Sequence, residues 1–236
     1  MMFKKIHNEV KRAFIENKFA IFASAFILFI SLILGYVFEP YLYSYLNPVV
    51  EDVTNKVQTG VIQLTFQDIF INNIMIVLRM FIYGLFFCFS ALILGYNGFF
   101  VGYYAATSQS LLHVLVFTIP HGIFEFSSCI LACASGFILF NFVCNLIRTF
   151  FKQKERKFMD RFWYSYDENF DKLLQAFIIL ALSSILMAVA GIFEVYITLP
   201  LGNFLFSLLS SILYNNSLKN IYVIFYDKMC FMWRRV

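Results

Sequence analysis

FSSCILACASGFILFNFVCNLI, residues 126–147, is a run of twenty-two positions without an Asp, Glu, Lys or Arg. A charge-free apolar stretch of this length matches the thickness of a bilayer core as an α-helix. Working outward, residues 80–124 are also free of charge, as are 19–38 and 173–193, and the four runs together hold 108 of the 236 residues. Hydrophobic residues make up 61% of the chain and charged residues 14%. A soluble domain needs about a quarter of its residues charged to cover its surface. The sequence therefore reads as an all-α, polytopic membrane helix bundle.

That composition leaves no room for a large soluble catalytic domain. The net charge of +4 sits beside apolar spans, where it reads as topogenic charge facing anionic membrane lipids and not as a nucleic-acid surface. The first apolar run ends at Phe38-Glu39-Pro40 without a small-residue cleavage site, so it reads as an anchor. The cysteines are Cys88, Cys129, Cys133, Cys144 and Cys230. None forms a CxxC pair, and they suggest packing residues, with no metal site and no cofactor.

Five principal spans are expected, at about 19–38, 68–94, 98–119, 122–147 and 173–197. Pro40 is expected to stop the first helix shortly after it leaves the membrane. Gly95-Tyr96-Asn97-Gly98 reads as a compact turn, and Pro120-His121-Gly122 as the break that opens the fourth span. Residues 1–18 carry five basic and two acidic side chains, 39–68 carry one and four, and 148–172 carry seven and five. Basic residues favour the cytoplasmic side. The pattern puts a 1–18 amphipathic segment and the 148–172 segment inside and 39–68 outside, around a 19–200 membrane bundle. The 201–236 tail reads as amphipathic or re-entrant, with an external carboxyl terminus.

Several polar groups are not required by an apolar bundle. Arg79, Glu125 and Glu194 interrupt or end the hydrophobic runs, and a charge inside lipid persists only when paired, hydrated, neutralised or snorkelling. His121 stands one helical turn from Glu125. These four form the candidate polar cluster, read either as an internal packing contact or as an ion or proton relay. There is no HExxH helix, serine elbow, phosphate loop or dinucleotide fingerprint, so the catalytic and metal sets are empty. Asn72 and Asn73 open the second span and are expected to bind exposed carbonyls. Gly98 and Gly102 form a GxxxG face, and Gly84, Gly95, Gly122, Gly136 and Gly191 offer further close contacts.

The ordered set Asn72-Asn73, Gly84, Gly95-Tyr96-Asn97-Gly98-Phe99-Phe100-Val101-Gly102 and Pro120-His121-Gly122-Ile123-Phe124-Glu125 resembles the stage II sporulation protein M family of integral membrane proteins. The resemblance covers roughly residues 10–200, with Pro-His-Gly-x-x-Glu its most distinctive part. It implies a five-span core, and it attaches importance to Asn72, Asn73, Asn97, Gly98, Gly102, Pro120, His121, Gly122 and Glu125. It also implies a non-enzymatic role as a membrane scaffold or assembly factor in cell-envelope remodelling, beside envelope-associated membrane proteins or cell-wall hydrolases. The competing reading is a small-solute or ion transporter using the polar cluster. The sequence does not specify homo-oligomerisation.

Overall fold

In lipid every backbone N–H and C=O must be satisfied within the chain, which a helix does locally and an open sheet cannot. A computed structural model describes residues 2–58, 65–86, 88–107, 111–198, 200–202 and 204. Among them there is no strand, and the protein is all-α. The helices are α1 (Met2–Glu16), α2 (Lys18–Gln58), α3 (Phe66–Tyr83), α4 (Cys88–Thr107), α5 (Leu111–Lys152) and α6 (Phe158–Phe193). A 3₁₀ turn, Gly84–Phe86, follows α3, and a π-helical turn, Glu194–Thr198, ends α6.

Among the described residues, four segments are long and apolar enough to cross a membrane: Lys18–Pro48, Phe66–Phe86, Thr118–Lys152 and Phe158–Gly202. Helix α4 is not among these four. The expected count of five is therefore not matched by length and composition alone. Most of the 201–236 tail lies outside the described residues.

Three expected breaks are absent. Helix α2 runs through Pro40 and Pro48 to Gln58. Each proline removes one helical N–H, a loss that membrane helices tolerate when neighbouring groups satisfy the freed carbonyl. Residues 95–98 lie inside α4, and Pro120, His121 and Gly122 lie inside α5. The turn between α3 and α4 falls instead at Gly84–Phe86. Local turn propensity at Gly95-Tyr96-Asn97-Gly98 yields to packing, because Gly98 and Gly102 are buried glycines on the face of α4 that meets α2. The start of α3 follows its sequence signal: Thr65 Oγ1 accepts from the Asp68 N–H at 3.2 Å and donates to Asp68 Oδ2 at 2.7 Å.

The chain divides into two compact units. Unit one comprises residues 1–27, 77–94 and 127–185. Its core includes Val77, Met80, Leu94, Cys129, Ala132, Cys133, Ile138, Ala176 and Ile179. Small residues bring its helices together: a Cβ on Gly84 would lie 2.3 Å from Gly136 Cα. Ser128 and Ser183 each donate to the other's backbone carbonyl at 2.7 Å, stitching α5 to α6. Polar contacts fasten α1 to the start of α6. Arg12 meets Glu16 at 2.8 Å and Asp171 at 2.7 Å, while Glu16 accepts from Lys172 at 2.9 Å and Gln175 at 2.8 Å. Asn17, at the α1–α2 joint, donates to Ala13 O and to Gln175 Oε1, both at 2.8 Å.

Unit two comprises residues 28–76, 95–126 and 186–236. One apolar cluster joins Val50, Ile69, Tyr103, Tyr104 and Val114, with Leu42, Leu46 and Phe99 packed against it. Helices α2 and α4 meet at backbone distance. A Cβ on Gly102 would lie 1.9 Å from the Leu32 carbonyl oxygen, and one on Gly35 would lie 1.9 Å from the Phe99 carbonyl oxygen.

Candidate functional site

The chemistry in unit two is built from three helical pieces. Residues 121 and 125 are one turn apart on α5, so His121 and Glu125 project on the same face. Helix α3 brings Asn73 to them. The π-helical turn at the end of α6 brings Glu194 and Thr198. Such single π turns recur at functional sites, because the wider turn re-aims side chains that a regular helix would carry past. The Phe124 and Phe193 rings, with centroids 4.7 Å apart, pack α5 against α6 beside the cluster.

Five polar residues are withdrawn from the surface here: Asn73 (3% exposed), His121 (4%), Glu125 (3%), Glu194 (5%) and Thr198 (1%). Asn73 Nδ2 donates to Glu125 Oε1 at 3.0 Å, while its Oδ1 accepts from Asn72 Nδ2 at 3.4 Å. His121 Nε2 stands 3.9 Å from Glu125 Oε2. On its other side, His121 Nδ1 lies 3.3 Å from Thr198 Oγ1. Thr198 Oγ1 in turn donates to the Phe193 carbonyl at 3.0 Å. Glu194 is close enough to act electrostatically on Glu125. Among the described residues, no three His, Cys, Asp or Glu side chains converge as a metal-ligand set.

The sequence-derived residues distribute as follows. His121, Glu125 and Glu194 come together in unit two. Arg79 belongs to the unit-one part of α3 and is exposed. Asn73, expected to bind a carbonyl, instead holds the Glu125 carboxyl. Asn97 is buried inside α4 and closes no turn. Gly84 packs against Gly136, Gly98 and Gly102 pack against α2, and Gly122 is buried on α5 beside Thr118 and Phe126. Pro120 is partly buried within α5.

Two participants were not singled out from the sequence. Thr198 enters the cluster because of the π turn, which has no local sequence signal. Gly35 carries the α2 side of the glycine contact, and its signal was a lone glycine inside a run of bulky apolar residues.

Apolar helices long enough to cross a bilayer, enclosing a small set of buried ionisable groups, define a multi-pass helical membrane protein. The chain belongs to the Stage II sporulation protein M (SpoIIM) family, whose profile matches residues 20–199. All five cluster residues fall within the matched region. No curated protein and no solved structure matches the chain.

Proposed function

We propose that the protein is a non-catalytic integral membrane scaffold or assembly factor for a cell-envelope remodelling complex. The observation that carries this reading is the closed character of the polar cluster. Asn73, His121, Glu125 and Thr198 engage one another and all are at most 4% exposed. Groups held in this way brace helices against one another; a substrate pathway requires polar groups that open to water. Membership of the SpoIIM family supports the same reading. The partners are envelope-associated membrane proteins, with cell-wall hydrolases as the expected enzymatic members. Residues 1–18 face the cytoplasm in this scheme.

One observation favours the second reading, transport of an ion or small solute: two carboxyl groups, Glu125 and Glu194, are buried close together among apolar helices. A mild-detergent pull-down at native expression, run beside flux measurements on purified protein in vesicles, separates the two. A reproducible set of envelope proteins and no flux is the expected result. Substrate flux without partners, abolished by Glu125→Gln in folded protein, would replace the scaffold with a transporter.

A further inference from the structure

The Thr198 hydroxyl has one hydrogen and two neighbours, the Phe193 carbonyl oxygen at 3.0 Å and His121 Nδ1 at 3.3 Å. The carbonyl can only accept, so both contacts carry a hydrogen only when His121 Nδ1 donates to Thr198 Oγ1. A neutral imidazole carries a hydrogen on only one ring nitrogen. With Nδ1 protonated, Nε2 of a neutral His121 presents a bare lone pair. That lone pair faces Glu125 Oε2 at 3.9 Å. An ionised Glu125 would then set two acceptors against each other in a buried site. The other carboxyl oxygen does not relieve this, because Oε1 already accepts from Asn73 Nδ2 at 3.0 Å.

We propose that His121 and Glu125 form a proton-binding site, holding one proton more than a neutral imidazole and an ionised carboxylate would carry. The proton resides either on Glu125, which then points an O–H at Nε2, or on Nε2, which makes an imidazolium facing a carboxylate. In both forms the pair is neutral overall. Neutrality is what burial favours: both side chains are withdrawn from the surface, and the acid Glu194, from the end of α6, acts on Glu125. Asn73 from α3 and Thr198 from the π turn supply polar contacts, and neither brings a charge. A net negative charge on the pair would be both desolvated and repelled by Glu194 when that group is ionised. The site goes beyond the scaffold reading and does not depend on it. Its ligand is the proton.

The test uses the full chain in lipid nanodiscs at neutral pH. The protein has three histidines, His7, His113 and His121, so ¹⁵N-histidine spectra assigned with His7→Gln and His113→Gln report the ring state of His121. Infrared spectra report a protonated carboxyl through its carbonyl stretch. The expected result is one of two patterns. Either both ring nitrogens of His121 are protonated, or Nδ1 alone is protonated and a carboxylic-acid band is present that Glu125→Gln removes and Glu194→Gln retains. A neutral His121 protonated on Nε2 would overturn the proposal. So would the Nδ1-protonated ring without an acid band from Glu125.

A glutamine side chain mimics the neutral acid in shape, so the Glu125→Gln variant should fold. Should it not, Asn73→Ala, which removes the hydrogen bond to Glu125 Oε1, should shift the acid band and so assign it, and a band unmoved by that change would overturn the proposal.

Discussion

A single added methyl group distinguishes glycines that bring helices together from those that merely sit on a helix. At Gly102 and Gly35 the nearest obstacle to a Cβ is the backbone of the opposite helix, 1.9 Å away in each case. Backbone cannot rotate aside, so α2 and α4 would have to separate. Gly102→Ala or Gly35→Ala should therefore lose on the order of 1–3 kcal/mol, the usual range for overpacking a close contact. At Gly122 the nearest atoms belong to side chains, Thr118 Cγ2 at 3.2 Å and the Phe126 ring at 3.5 Å. There a small adjustment suffices, and alanine recovers about 0.5–1 kcal/mol of helix preference over glycine. Gly122→Ala should be neutral or stabilising. Unfolding midpoints in mixed detergent micelles should rank Gly122→Ala at or above the parent, with Gly102→Ala and Gly35→Ala clearly below. Equal losses at all three positions would mean that the α2–α4 contact does not depend on its glycines. The GxxxG face was legible in the sequence through Gly98 and Gly102. Its partner surface was not, because no pattern in α2 says which face of a uniformly apolar helix will be approached.

Exposed ion pairs help fasten helix α1 to the start of α6, and that makes its docking sensitive to solution conditions. Glu16 accepts hydrogen bonds from Gln175, Lys172 and Arg12, and these hold its carboxyl down to about 2. A depressed carboxyl contributes its stabilisation fully above its ordinary value of 4.5 and loses it as pH falls through about 2. Spin labels at the exposed positions Lys11 and Glu168 should therefore report a constant short distance from neutral pH to about 4.5, lengthening only as pH falls toward 2. High salt should lengthen it at neutral pH, since the ion pairs are exposed and screened. A transition near neutral pH would assign the docking to other groups. At this scale the sequence showed the helical, membrane-spanning class but misplaced breaks between the helices. Proline and Gly-Asn signals are local, and in a membrane they compete with helix continuity, which keeps backbone groups satisfied where no water can replace them. Pro40, Pro48, Asn97 and Pro120 all lie within helices for that reason. The break that does form, at Gly84–Phe86, carries only one glycine and no polar residue.

For the whole molecule, the contacts of α1 constrain how often the chain crosses the membrane. Arg12 pairs with Asp171 at 2.7 Å and Lys172 pairs with Glu16 at 2.9 Å, so residues 12–16 and 171–172 lie on one side of the bilayer. Between those positions the number of complete crossings must be even. Among the described residues, three of the long apolar segments lie between them: Lys18–Pro48, Phe66–Phe86 and Thr118–Lys152. We expect helix α4 to supply the missing crossing. Its twenty residues span about 30 Å at 1.5 Å per residue, the thickness of the hydrocarbon core. With the basic residues of 1–18 and 148–172 drawn to the cytoplasm, the chain should be outside at Asp52, inside at Phe86, outside at Thr107 and inside at Arg156. Topology reporters inserted after Phe86 and after Thr107 test the decisive step. Opposite readouts, cytoplasmic and then external, would establish α4 as a span and the five-span count with it. The same readout at both positions would make α4 a segment that enters and leaves by one face. The α1–α6 ion pairs would then require another of the helices to do the same.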